Sequence, residues 1–321
     1  MKPLPGIMLM FLSLALAAPA RTWTSASGKQ LEAEYVSQAY GKVTLKSPQG
    51  ELFSIPLNKL SPADQEYLRT RGLPPPRTGK AAAAAPPAPR AADPAITARL
   101  VPGQTFTRTA EGETAVPYHV RVPPAFDHAA PPPLLIAFSA GGKGRFMADT
   151  IGPCADKLGW ITIGCDKLKN DLPDGKLTDQ MEDEVLEDIY RNIPHDPRRV
   201  YLAGHSGGAM RAYGLTARRK ESFAGILAYG GWLGGPAYQK KLYGKHMAVA
   251  MVNGDKDDAA NAWVQGDTQA LKYRKCNVKV FEFPGGHPMP PAPEPTDQAL
   301  RWLQEDWEKH GAKRPDVRDR N

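Results

Sequence analysis

Cysteine is scarce. The 321-residue sequence carries three, Cys154, Cys165 and Cys276. Three cannot build a disulfide scaffold, so the fold must rest on an apolar core. One pair, Cys154 with Cys165, could close in an oxidising compartment; the alternative is three buried thiols. There is no Cys-x-x-Cys and no His-Glu-x-x-His, so nothing reads as a zinc site. Beyond the amino terminus no apolar run is long enough to cross a bilayer. A concentrated basic patch is also lacking. The net charge is +7 and the pI about 9.2, but clusters stand only at Arg218-Arg219-Lys220 and from Lys309 onward. Both read as solvated surface, which argues against a nucleic-acid partner.

What is present begins with an export signal. Lys2 precedes the apolar run Ile7 to Ala18, and Ala18-Pro19-Ala20 has the small-x-small form of a cleavage site. Residues 1–20 are expected to be a signal peptide cut after Ala20, directing the chain to the periplasm or the medium. No cysteine follows the run, so neither a lipid anchor nor a stable membrane anchor is expected.

Residues 21–72 read as a small β domain. Leu31, Ala33 and Tyr35 alternate with Glu32 and Glu34, and Phe53, Ile55 and Leu57 alternate after the Gln49-Gly50 turn. Ser61-Pro62-Ala63-Asp64 has the form of a helix start, with Ser61 as cap and Asp64 as capping-box acid. The stretches Arg21-Thr22-Trp23-Thr24, Gly41-Lys42-Val43-Thr44-Leu45 and Ile55-Pro56-Leu57, with Asp64-Gln65-Glu66-Tyr67-Leu68, resemble the Sla-one homology domain. That resemblance implies a Src-homology-3-like small all-β barrel that binds a protein or a polymer.

Residues 73–97 are dominated by Pro and Ala and are expected to be an extended spacer. From residue 98 to about 312 short apolar strands alternate with helical patterns, which predicts an α/β fold: a mostly parallel, doubly wound sheet. The acids Glu182-Asp183-Glu184 and Glu187-Asp188 lie between Met181, Val185 and Ile189 and read as the solvated side of a helix. Residues 313–321 form a polar tail.

Gly204-His205-Ser206-Gly207-Gly208 carries the chemistry. It follows the strand Val200 to Ala203 and precedes a helical segment, the strand–turn–helix setting that exposes a nucleophilic serine. A serine hydroxyl needs a base and an acid that orients the base. His287 follows the last apolar strand through Pro284-Gly285-Gly286, at the carboxyl end where sites of such sheets lie. His195 and His246 precede strands, and the side chain of His205 is expected to point away from the hydroxyl. Asp255, Asp257 and Asp258 compete as the acid after the strand Met247 to Val252. Oxyanion donors are expected at the N–H of Gly207 and in Ser139-Ala140-Gly141-Gly142-Lys143-Gly144, at Gly141.

These pieces resemble the α/β-hydrolase superfamily, above all the secreted esterases that include polyhydroxybutyrate depolymerases, feruloyl esterases and acetylxylan esterases. Those usually carry His-Gly where Ser139-Ala140 stands. The Gly-x-x-Asp spacing of that family selects Asp257. The resemblance implies hydrolysis of a carboxylic ester, polymeric or small, by Ser206, His287 and Asp257, with no metal or organic cofactor. The segment between residues 228 and 247 is too short for a lid domain, which suits a bulky substrate, and Trp232, Trp263 and Phe146 are candidates to line its pocket. Two rival readings are a peptidase of the same fold and a binding protein in which the small barrel is the working part.

Overall fold

The computed structural model describes residues 21–39, 42–70, 94–172, 174–219 and 221–311. The expected signal peptide, most of the expected spacer, Gly41, Lys220 and the tail lie outside the described residues. The chain divides into two compact units, Met1–Ala81 and Ala82–Asn321.

In the first unit, β1 (Arg21–Thr24), β2 (Gln30–Ala39), β3 (Lys42–Lys46) and β4 (Leu52–Pro56) form an antiparallel sheet in that order. A tight turn at Leu57–Lys59 leads to α1 (Pro62–Thr70). The alternating residues Ala33, Val43 and Leu45 bury their side chains with Trp23, Leu60 and Leu68. The Trp23 indole N–H donates to the Ala33 carbonyl at 3.0 Å, so even this large side chain is satisfied in the core. Ser61 caps α1, but the expected capping box is not completed: the Ser61 N–H donates to the Thr24 carbonyl at 2.7 Å, and the Asp64 carboxylate meets the Ser61 hydroxyl instead. Asp64 N–H donates to Ser61 Oγ at 3.2 Å, and the Ser61 hydroxyl donates back to Asp64 Oδ2 at 3.0 Å. The same carboxylate takes the Thr24 N–H at 2.6 Å and the Arg21 guanidinium at 2.6 Å, tying the helix start to β1.

The second unit opens with α2 (Pro94–Thr97). These four residues, expected in the spacer, are helical, with Ile96 buried in the large core beside Leu100. The hairpin β5 (Thr105–Thr109) and β6 (Pro117–Arg121) follows, then β7 (Leu134–Ser139) and α3 (Gly144–Asp156). Next come β8 (Ile161–Cys165), α4 (Gly175–Asn192), β9 (Val200–His205) and α5 (Gly207–Arg218). The chain closes through β10 (Gly225–Tyr229), α6 (Pro236–Gln239), β11 (Ala248–Gly254), α7 (Asp258–Tyr273), β12 (Asn277–Phe283) and α8 (Glu294–His310).

The sheet order is β12-β11-β10-β9-β7-β8-β6-β5, with β7 to β12 parallel to one another and β6 alone running against the rest, paired antiparallel with both β8 and β5. Every residue of β7, β8, β10 and β11 is buried, as expected of strands covered on both faces. Alternate residues feed two cores. Ile136 and Leu202 pack with Val185 and Ile189 of α4 and Tyr213 of α5; Leu135 and Tyr201 pack with Ile151 of α3 and Leu303 of α8.

Two expectations change. Of the acids Glu182, Asp183, Glu184, Glu187 and Asp188 of α4, only Glu187 is exposed as a solvated side would be; the others are engaged. Glu182 is buried against Arg211 and Arg218, Asp183 pairs with Arg218 and Arg219, and Asp188 is buried against Arg108 and the Tyr118 hydroxyl. The reason is that α4 packs between α5 and the hairpin, so Glu182, Asp183 and Asp188 meet neighbouring arginines rather than water. Arg218 and Arg219, read as free surface charge, are therefore paired. The three cysteines are buried and none is in a disulfide, so the Cys154–Cys165 pairing is not formed. Burial pushes the Cys154 thiol up to about 12, which keeps it protonated and unreactive. No helix among the described residues is long and apolar enough to cross a membrane.

Candidate active site

At the carboxyl end of β9 the chain turns sharply into α5. Ser206 sits at the turn with φ +56°, a conformation costly for a non-glycine residue. It is held there by its own N–H on the Tyr229 carbonyl at 2.8 Å and by its carbonyl, which accepts from Ala209 N–H at 2.9 Å. The turn is possible because its flanks are glycines. A Cβ on Gly204 would overlap the Gly208 carbonyl carbon, and one on Gly208 would overlap the Phe138 carbonyl oxygen.

Three side chains from three different loops meet at this turn. His287, in the loop after β12, places Nε2 2.8 Å from Ser206 Oγ. Its Nδ1 lies 2.8 Å from Asp257 Oδ2. An ionised carboxylate only accepts, so Nδ1 carries the proton and Nε2 is left to accept the serine hydroxyl. Asp257 caps α7: its other oxygen accepts Ala260 N–H at 3.1 Å. The carboxylate is buried, while the histidine side chain keeps 41% of its surface exposed and so stays reachable from solvent. The other two acids of that loop do different work. Asp255 accepts Gly285 N–H at 2.9 Å and so braces the histidine loop, whereas Asp258 is exposed in the first turn of α7.

Three contributors escaped the reading of the sequence. His205 does turn from the serine hydroxyl, but its Nε2–H donates to the His287 carbonyl at 2.8 Å and the two rings lie 5.2 Å apart. Burial holds its pKa below the ordinary histidine value, so it is a neutral donor. Gly230, at φ +53°, lets the chain pass under the site: a Cβ there would stand 2.9 Å from Asp257 Oδ2 and 3.2 Å from His287 Nδ1. Asn170 lays its side-chain amide where a Cβ of Gly207 would be. The only available signal was position, since both Gly230 and Asn170 follow strands next to β7 and β9 at the carboxyl end of the sheet.

The glycine-rich loop after β7 is pinned to the segment after β8. Asn170 N–H donates to the Ala140 carbonyl at 2.9 Å, Lys167 N–H to the Gly142 carbonyl at 3.0 Å, and Gly141 pairs with Lys169. Gly207 is buried at the start of α5, with its helix N-terminus favouring negative charge. Phe146 is 48% exposed and lines a cleft of about 720 Å³ beside this loop. Trp232 and Trp263 are half-buried in the loop after β10 and on α7; the Trp263 ring stands 3.8 Å from where a Cβ of Gly235 would be. Among the described residues no group of His, Cys, Asp and Glu is arranged to hold a metal ion.

The family model of SLA1 homology domain 1 matches residues 15–72. Among solved structures, the chain is similar to a dienelactone hydrolase from Anabaena variabilis, at 15% identity and TM-score 0.50, covering 64% of this chain and 97% of that one. It is similar to Est1E from Butyrivibrio proteoclasticus, at 14% identity and TM-score 0.50, covering 63% and 99%. A ferulic acid esterase matches at 17% identity and TM-score 0.50, covering 63% and 98%. Comparison with curated proteins returned no match. At such identities the likeness speaks for the fold, and the second unit has the α/β-hydrolase fold.

Proposed function

We propose that this chain is an exported serine hydrolase that cleaves carboxylic esters through an acyl-enzyme. One observation carries the reading: the unbroken line of hydrogen bonds from Ser206 Oγ through His287 to the buried Asp257. His287 Nε2 takes the serine proton as Oγ attacks the ester carbonyl. Asp257 holds the imidazole in the required tautomer and stabilises the imidazolium. The oxyanion forms beside the N–H groups of Gly207 and Gly141. The imidazolium then protonates the leaving alcohol, and water activated by the same base releases the acid. Neither a metal nor an organic cofactor enters.

The segment between β10 and β11 holds only the four-residue α6, which supports an uncapped site and a bulky or polymeric ester, a polysaccharide side-group or a polyester. In this reading Phe146, Trp232 and Trp263 line the substrate. Residues 21–72 are a small Src-homology-like barrel that binds a protein or polymer, 73–97 a spacer, 98–312 the catalytic domain and 313–321 a tail. Residues 1–20 are the signal peptide, cut after Ala20 on export.

The test is hydrolysis of an aryl acetate by the mature protein beside Ser206→Ala and His287→Ala. Each variant is expected to lose about four to six orders of magnitude in kcat, with its melting curve unchanged. Equal rates in all three proteins would remove the hydrolase reading.

A further inference from the structure

We infer that the cleft beside the glycine-rich loop after β7 is a subsite for a carboxylate carried by the substrate, an inference that rests on the ester-hydrolase reading. The cleft is walled by that loop, the first turn of α3 and the segment after β8. Its floor is apolar, with Phe146 and Leu172, and its rim carries four cations, Lys143, Arg145, Lys167 and Lys169. The one acid in the lining, Asp166, is already engaged, accepting Gly144 N–H at 2.6 Å and lying 2.9 Å from His119 Nε2.

Two of the four, Lys143 and Lys167, have no ion pair among the described residues. Arg145 pairs with Asp149 and Lys169 with Asp171, both pairs exposed. Lys167 donates to the Ala115 carbonyl, which carries no full charge. Lys143 makes no ion pair among the described residues, and its stem lies back over the loop, Cε 3.8 Å from where a Cβ of Gly141 would be. Several like charges around an apolar floor repel one another, and an anion entering the cleft relieves that repulsion.

The cleft is lined by none of the elbow residues, but one of its walls runs on to the elbow. The segment that supplies Lys167 and Lys169 also sends Asn170 against Gly207, and it is bonded to Ala140 and Gly142. An ester held at Ser206 can therefore extend past the oxyanion side into the cleft. The ligand that fits has an apolar body ending in a carboxylate. A neutral ester gains only the floor.

Two substrate pairs test this, each matched in body and differing in charge. Para-acetoxybenzoate against para-acetoxybenzamide puts the carboxylate on the leaving group. Para-nitrophenyl hydrogen adipate against para-nitrophenyl hexanoate puts it on the acyl side. The expected result is that, in at least one pair, the charged-to-neutral ratio of kcat/KM falls about tenfold in Lys143→Ala/Lys169→Ala, through KM. High salt should drive the wild-type ratio toward that of the variant. Ratios equal in the two proteins for both pairs would overturn the inference. Calorimetric binding of the same compounds to Ser206→Ala, with and without the lysine substitutions, reads the subsite without turnover. Charge-selective binding lost with the lysines upholds it, and charge-blind binding overturns it. The hydrolase reading fails separately, if wild type and Ser206→Ala hydrolyse these esters alike.

Discussion

Asp64 and Asp257 begin alike, each a buried aspartate at the start of a helix: Asp64 stands in the first turn of α1 and accepts from the capping Ser61 hydroxyl, and Asp257 is itself the cap of α7 and accepts Ala260 N–H. In the small unit the rest of the carboxylate is spent on Thr24 N–H and Arg21, fixed donors that hold β1 to α1. In the large unit the second oxygen faces His287, a group that can gain and lose a proton within reach of a strained serine. A buried acid is thus structural or functional according to what its second oxygen meets, and burial alone does not separate the two.

Asp257→Asn should break the comparison most sharply. The amide keeps a cap for α7 but no longer fixes the His287 tautomer, so ester turnover is expected to fall about 10⁴-fold while the melting temperature moves little. A large loss of stability with proportionate loss of activity would place Asp257 with Asp64. The reciprocal change, Asp64→Ala, removes the charged hydrogen bonds to Arg21, Thr24 N–H and the Ser61 hydroxyl and should destabilise the small unit by about 2–3 kcal/mol. Hydrogen exchange on the intact chain would register this in residues 21–70, with aryl-ester turnover unchanged. Smaller again is His205→Ala. Losing the donor to the His287 carbonyl lets the base wander, and kcat should drop about tenfold with KM near its original value. Rescue by His205→Gln, which restores an N–H donor, would mark positioning rather than packing. Last comes Asp255→Ala, whose partner Gly285 N–H is exposed and can bond to water. A fall of about two- to threefold in kcat/KM is expected; a loss as large as that of Asp257→Asn would mean that the wrong acid carries the histidine.

The elements that could be read along the chain are those whose signal is local. Short apolar runs become the strands because a doubly covered sheet demands nothing but apolar side chains. Their ends shift by a residue or two: the run Phe223 to Ala228 is the strand Gly225–Tyr229, since pairing with β9 and β11 sets its limits. The elbow was legible because Gly204 and Gly208 are needed for the close approach of backbone to backbone, and His287 because it follows the last strand. The choice among Asp255, Asp257 and Asp258 came from the spacing of the resembled family, not from the residues themselves. All three are carboxylates within four residues, and only the meeting of two loops assigns one to His287 and another to Gly285.

The polar face of α4 marks the same limit. Its acids look like solvated charge because the arginines that pair with them stand on α5 and β5, far away in sequence. The same holds for Asn170 and for the cationic cleft, whose walls come from separate loops. The sequence by itself determined the two-part organisation it suggests, the period of the strands and the strained serine turn, because each depends on neighbours along the chain. Tertiary structure alone decided which carboxylate is bound to the histidine, which charges are paired and where cations gather around a cleft. Those are distances between side chains remote in sequence, and only the packed sheet brings them within hydrogen-bond reach.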